Sequence, residues 1–176
     1  MKRLFDLFTG IVLFVLLVIP ILLIMIAIRL TSKGPSLYWS DRIGKDNETF
    51  KMPKFRSMRI DTPTVATHLL NNPSAYLSPI GGFLRRSSLD ELPQLFSVLR
   101  GDMSFVGPRP ALFNQDDLIA LRKEKGMDKL LPGITGWAQV NGRDILSVTD
   151  KVDLDVEYMQ RQSFWFDIKV LRITFL

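Results

Sequence analysis

GIVLFVLLVIPILLIMIAI, residues 10–28, is 19 uncharged residues long and carries one proline at its middle, Pro20. A straight helix of that length covers ~28 Å, about the thickness of a bilayer's hydrocarbon core. No small-residue cleavage site follows, so the segment reads as membrane-associated rather than as a removable signal peptide. Two architectures are open to it: a single spanning anchor, or a re-entrant helix that enters and leaves by one face. Pro20 removes a backbone hydrogen bond and crowds the preceding turn, which predicts a break at the centre. Both flanks are basic, with Lys2 and Arg3 before the segment and Arg29 and Lys33 after it. Basic flanks stay on the cytoplasmic side, so the charges favour the re-entrant form.

The remaining length suits one domain, which divides the 176 residues into a membrane helix with basic flanks over 1–33 and a catalytic domain over 34–176. Lys and Arg outnumber Asp and Glu by 23 to 18, a surplus that suits anionic partners such as phospholipid headgroups or nucleotides. There is no cysteine, which excludes disulfides, thiolate zinc sites and a cysteine nucleophile. His68 is the one histidine and falls in a Thr-, Asn- and Pro-rich stretch that reads as a loop, which leaves a Ser-His-Asp mechanism or a multi-histidine metal site close to impossible. Chemistry is left to carboxylates, cations and hydroxyls, and any metal to a hard cation held by oxygen, such as Mg²⁺.

Residues 37–58, LYWSDRIGKDNETFKMPKFRSM, predict a β-hairpin turning at Lys45-Asp46-Asn47, with Lys54 and Arg56 on the second arm. Residues 61–79, with three prolines, read as irregular chain. Ser88 and Glu91 match the S-x-x-E capping box and predict a helix that runs to about Leu99 and stops before Gly101. Residues 101–110 read as a Gly/Pro loop, 111–125 as a helix, 132–143 as loop or short strand, and 147–162 as a helix. The aromatic tail from Ser163 suits a helix lying in a membrane interface or in a core.

Three constellations can carry chemistry. Asp90 and Glu91 are adjacent carboxylates at a helix start, with Arg85 and Arg86 one turn away. Acidic residues there complement the helix dipole in many proteins. The neighbouring arginines add a second reading, in which a carboxylate holds Mg²⁺ against a diphosphate or attacks phosphorus directly. Arg109, between Pro108 and Pro110, and Arg143 in Asn141-Gly142-Arg143 offer guanidinium forks for phosphate oxygens, or else structural ion pairs. Lys54 and Arg56 add positive charge that suits phosphate or a membrane surface. Trp137 and Gln139 can contact a base or sugar, although a tryptophan is more often core.

In this order, RLFDLF, the broken apolar segment, KFRSM, LRRSSLDELPQLFSVLRGDMSFVGPRP, LPGITGWAQVNGR and LDVEYMQRQSFWFDIKVL resemble the bacterial sugar transferase family, the small monotopic phosphoglycosyl transferases. The resemblance implies an α+β, mainly helical fold with a re-entrant helix broken at Pro20, a short β-hairpin and amphipathic interface helices around a compact catalytic domain. It implies transfer of a sugar-1-phosphate from a UDP-sugar to polyprenyl phosphate with Mg²⁺, releasing UMP, on the cytoplasmic face of a bacterial inner membrane. N-acetylated amino sugars are the expected cargo of its smaller members. Asp90 would be the nucleophile of a covalent, ping-pong mechanism. Glu91 would assist through the metal or by handling a proton, and Arg85, Arg109 and Arg143 would contact phosphate or support the site. The matching chain departs from the family in having Ile19-Pro20 where a Ser-Pro pair is common, so the hydroxyl that satisfies freed backbone groups is absent. Beside larger members with an extra N-terminal membrane region, it looks like the family's minimal type. Inner-leaflet phospholipids are expected partners and nucleic acid is not. A basic scaffold or nucleic-acid-binding module explains the charge and the anchor but not Asp90-Glu91. The sugar's identity, the pathway and the oligomeric state, a homo-oligomer included, stay open.

Overall fold

The computed structural model describes residues 2–63, 72–142 and 145–174, so His68 and Arg143 lie outside the described residues. The apolar segment forms a 30-residue helix, α1 (Lys2–Thr31), whose helical backbone continues through Pro20. The proline costs the helix one ladder bond, and helical geometry is kept on either side of it. Among the described residues this is one helix long and apolar enough to cross a membrane.

Both ends of α1 nevertheless return to the same domain. At its start, Lys2 pairs with Asp167 at 2.5 Å and the buried Asp6 accepts from the Phe105 N–H at 3.2 Å. Arg3 donates to the Val98 and Leu99 carbonyls, the last of α3 (Leu95–Arg100). At its other end, Arg56 donates to the Ser32 and Lys33 carbonyls. Each arginine thus meets carbonyls at or just past a helix C-terminus, where intrahelical donors are lacking and cations are favoured. Between these ties one face of α1 packs on the domain. The opposite face leaves Leu4, Phe8, Val15, Ile19, Leu23 and Leu30 exposed at steps of four or seven. Such a continuous apolar stripe is a surface for lipid.

The hairpin forms as its turn residues predict. Strands β1 (Leu37–Ile43) and β2 (Thr49–Phe55) pair antiparallel from Leu37↔Phe55 to Ile43↔Thr49. Between them Asp46 and Asn47 both take positive φ, which short polar side chains tolerate. Next along the chain are α2 (Gly81–Arg86), a 3₁₀ turn over Leu89–Gln94, and α3. Two short strands follow, β3 (Ser104–Val106) and β4 (Ala111–Leu112). The remaining elements are α4 (Asp116–Glu124), β5 (Gly133–Thr135), α5 (Trp137–Val140), α6 (Val148–Arg161) and α7 (Phe164–Thr174). β4 adds to β1, giving the order β2-β1-β4, and β3 pairs in parallel with β5.

Several expectations change. The break expected at Pro20 is absent, since the helix runs through it, and the stretch read as a Gly/Pro loop contains strand β3. The capping box at Ser88 does not form, because Ser88 sits at φ 56° and its side chain makes no cap bond. A left-handed residue points the chain into a tight 3₁₀ turn, and Pro93 then delays the α-helix to Leu95. The helix expected from residue 111 starts at Asp116, because Ala111 and Leu112 are drawn into the sheet by Ile43 and Arg42.

Val98, Met103, Val106, Tyr158 and Val170 centre the main core beneath the first half of α1. Ile21, Ile28, Phe55 and Leu84 form a second core beneath its second half. Phe55 is 1% exposed and joins the hairpin to α1. Phe55→Ala should lower stability by about 3–5 kcal/mol, as truncation of buried phenylalanines does. Denaturant unfolding in detergent micelles checks this, and a loss under about 1 kcal/mol would show that α1 is not docked through Phe55.

Candidate functional site

The 3₁₀ turn over Leu89–Gln94 packs against β2 and turns its two carboxylates in opposite electrostatic directions. The Glu91 Oε1 takes Lys54 Nζ at 2.8 Å and Arg109 Nη2 at 3.0 Å. Burial alone would raise Glu91. The charges of Arg109 and Lys54, with their hydrogen bonds, outweigh it and hold the carboxyl at about 2. Asp90 is 8% exposed, and among the described residues no ion pair engages it. Burial and the adjacent Glu91 charge raise Asp90 above the usual aspartate value, while the Lys54 and Arg85 charges oppose them. Adjacent residues thus supply one carboxylate fixed as an anion and one made more basic. Paired groups with environments pushed apart mark functional sites.

Arg42, which the sequence reading passed over, completes the cationic group. It reaches the Ser40 hydroxyl at 3.0 Å and the Pro110 carbonyl at 3.1 Å. Burial first, then the nearby Arg109 charge, lowers its guanidinium to about 10. Lys54 is lowered too, by burial above all and despite Glu91. Directly opposed residues share a sheet face, so the Arg42↔Phe50 and Tyr38↔Lys54 pairs place Arg42, Tyr38 and Lys54 on one side. That alternation was legible in the sequence once the hairpin register was known.

The arm carrying Arg109 is held from behind. Arg122 donates to the Arg109 carbonyl at 2.8 Å while pairing with the buried Asp155 at 2.6 Å. Gly107 lies where β3 and β5 meet, and a Cβ there would stand 2.4 Å from the Leu131 carbonyl oxygen. Only glycine lets the two backbones approach this closely.

The other expected residues fall in three places. Arg85 lies beside Asp90 and reaches the Met58 sulfur at 3.5 Å. Arg56 is occupied in capping α1 and makes none of the Glu91 ion pairs. Gln139 donates to the Ile134 carbonyl at 3.0 Å, near Gly136. Trp137 bonds Glu157 at 2.8 Å and packs its ring on Phe166 at 5.0 Å, so its role is in the packing of α5, α6 and α7. Among the described residues no group of three or more His, Cys, Asp or Glu gathers around a metal position. The site is therefore a carboxylate pair ringed by cations, an arrangement suited to a substrate carrying several phosphate charges.

A family model described as bacterial sugar transferase matches residues 1–176. The chain is 42% identical over 171 residues to the UDP-glucose:undecaprenyl-phosphate glucose-1-phosphate transferase of Escherichia coli K12, covering 92% of this chain and 37% of that protein. It is 42% identical over 189 residues to the undecaprenyl-phosphate glucose phosphotransferase of Komagataeibacter xylinus, covering 98% of this chain and 35% of that one. It is 38% identical over 174 residues to the Bacillus subtilis protein named uncharacterized sugar transferase EpsL, covering 99% of this chain and 85% of that one. The chain thus spans about a third of the first two relatives and most of the third.

The Glu91 geometry fixes a pH dependence. Its carboxyl is depressed from 4.5 to about 2, so its contribution to stability is complete above pH 4.5 and is lost as pH falls towards 2. Thermal melts across that window should fall more steeply for the wild type than for Glu91→Gln. Parallel curves would show that Lys54 and Arg109 do not hold the carboxylate.

Proposed function

The chain belongs to the bacterial sugar transferase family, and from that premise we propose that it moves a sugar-1-phosphate from a UDP-sugar to a polyprenyl phosphate. The observation that carries this reading is the unequal state of Asp90 and Glu91. A carboxylate pinned by two cations at about 2 is a weak nucleophile and a weak base. Asp90, in no ion pair among the described residues and more basic, is the better nucleophile of the two.

In the first half-reaction an Asp90 oxygen attacks the phosphorus bonded to the sugar. An O–P bond forms, the bond from that phosphorus to the bridging oxygen breaks, and UMP leaves with the electron pair. A phosphate oxygen of the polyprenyl phosphate then attacks the same phosphorus and restores the Asp90 carboxylate. The acceptor phosphate is largely dianionic near neutral pH, so no base is needed to activate it. Arg42, Lys54 and Arg109 face the charge that develops on the transferring group, where positioning and electrostatics dominate. Glu91 keeps Lys54 and Arg109 in place. The carboxylates of Asp90 and Glu91 fit Mg²⁺, which takes one or two carboxylates and fills its shell from substrate phosphates and water. When bound there it would neutralise diphosphate charge. The names of the Escherichia coli and Komagataeibacter xylinus relatives speak for glucose, and that of a Streptococcus agalactiae relative for galactose. The N-acetylated amino sugar that the family resemblance implied draws no support from them, and a UDP-hexose is the donor we propose.

We place the protein monotopically on the inner leaflet of the cytoplasmic membrane, with α1 re-entrant. The two-ended docking of α1 supports this, because the Lys2–Asp167 and Arg56–Ser32 ties hold both ends at one domain. Exposed Phe83, Phe96, Phe164 and Trp165 add apolar surface, with Phe96 against Phe14 of α1 and Phe164 against Phe5. The unbroken helical backbone at Pro20 favours a spanning anchor instead. Tags at residues 1 and 176 should be reached from the same side of sealed vesicles. Labelling from opposite sides would leave α1 a span.

Incubated with UDP-glucose or UDP-galactose and no acceptor, the purified protein should gain one hexose phosphate by intact mass, mapped to Asp90. Asp90→Asn should abolish both the adduct and UMP release. UMP release at wild-type rate from Asp90→Asn would overturn the nucleophile assignment.

A further inference from the structure

Beside the charged site, the hairpin leaves one edge open. β1 is paired with β2 along its whole length, but on its other side only Arg42 and Ile43 pair with β4. The chain then turns away, the Gln115 N–H closing on the Leu112 carbonyl at 3.1 Å with Phe113 and Asn114 at the tip. Between this tip and β1 lies a groove of about 230 Å³ lined by Tyr38, Trp39, Ser40, Asp41, Phe113 and Asn114.

The direction of the backbone groups along β1 follows from its ends. Ser36 C=O accepts from Arg56 N–H, and Gly44 N–H donates to Glu48 C=O. Even-numbered β1 residues therefore turn their backbone groups to β2, and odd-numbered ones turn both N–H and C=O to the opposite edge. Trp39 is odd and lies beyond the last β4 pair, Arg42↔Leu112. It presents an adjacent donor and acceptor to the groove, with no strand among the described residues to take them.

A donor and acceptor side by side are the complement of an imide edge, in which a ring N–H sits next to a C=O. The lining adds the aromatic side chains of Tyr38 and Trp39, which flank the strand edge from opposite sheet faces, and of Phe113; they are 44%, 51% and 49% exposed. Asn114 adds an amide and Asp41 an acceptor for hydroxyls. The groove also adjoins the cations, because Tyr38 stands directly across the strand pair from Lys54. The Phe113–Asn114 tip closes one end, so a single ring system fits where an added β-strand would collide.

We propose that this groove is the uracil subsite of the nucleotide donor. The base stacks on the aromatic walls, its imide edge bonds the Trp39 backbone, and its phosphates reach Lys54, Arg42 and Arg109. The assignment rests on the UDP-sugar reading above. It adds the base-reading element, which no carboxylate or arginine of the charged site supplies.

The test is equilibrium binding of UMP, ribose 5-phosphate and N3-methyl-UMP to the full-length protein in detergent. UMP should bind at least tenfold more tightly than either analogue, since one lacks the base and the other the imide N–H. Trp39→Ala and Phe113→Ala, each shown folded by its thermal melt, should weaken UMP about five- to a hundredfold, the range for a lost base–aromatic stack. Both should leave ribose 5-phosphate binding unchanged. Equal binding of all three probes, or UMP binding unchanged in both variants, overturns the subsite. If the hexose phosphate adduct still forms on Asp90 in that case, the transferase reading stands and only the subsite falls. Absence of both the adduct and UMP binding removes the transferase reading and the subsite with it. A cross-link between cysteines placed at Asn114 of two copies, unaffected by UMP, would overturn the proposal by showing that a second chain covers the edge.

Discussion

Glu91 joins three pieces of chain that are far apart in sequence. Its carboxylate binds Lys54 from the hairpin and Arg109 from the Gly/Pro loop, both through one oxygen. Lys54 and Glu91 are largely buried, so each is costly without the other, while Arg109 at 42% exposure keeps contact with water. A partly buried cation group with too few anions is stable only if geometry fixes it, and Glu91 is the fixed point. Among the described residues no ion pair engages Asp90, while its neighbour takes Lys54 and Arg109. The basicity of one carboxylate is in this sense a consequence of the pinning of the other.

The supports behind this centre follow the same rule. Arg122 holds the Arg109 carbonyl and is itself held by Asp155, a carboxyl that burial raises despite the arginine. Arg3 and Arg56 exchange helix caps between α1 and the domain. Arginine suits each place because its planar fork can satisfy two or more carbonyls or oxygens at once. The same residue type therefore appears in structural and in phosphate-facing roles, and type alone does not separate them. Arg56 is the plain instance: its sequence neighbour Lys54 enters the site, while Arg56, on the other side of Phe55, turns to the end of α1.

Local signals were reliable where the partner lies nearby in sequence. The hairpin turn at Lys45–Asn47, the stop of α3 at Gly101 and the start of α6 at Ser147, whose hydroxyl accepts from Asp150 N–H, all follow from short-range chemistry. Local signals failed where a distant segment competed. Ala111 and Leu112 had helical neighbours but found a sheet edge. Ser88 had the right spacing for a cap, yet its left-handed backbone aims the turn that buries Asp90. Arg42 was invisible because its importance depends on strand register rather than on any motif of its own.

Sequence by itself determined the apolar helix with basic ends, the hairpin, the absence of cysteine and the adjacency of two carboxylates beside arginines. These are statements about residues within a few positions of one another, and local sterics and hydropathy suffice for them. Tertiary structure alone decided which cations meet Glu91, which carboxylate stays basic, and that both ends of α1 cap and are capped by one domain. Those outcomes depend on burial and on distances between segments tens of residues apart. Desolvation and Coulomb interaction act through space, and the order of residues along the chain does not record them.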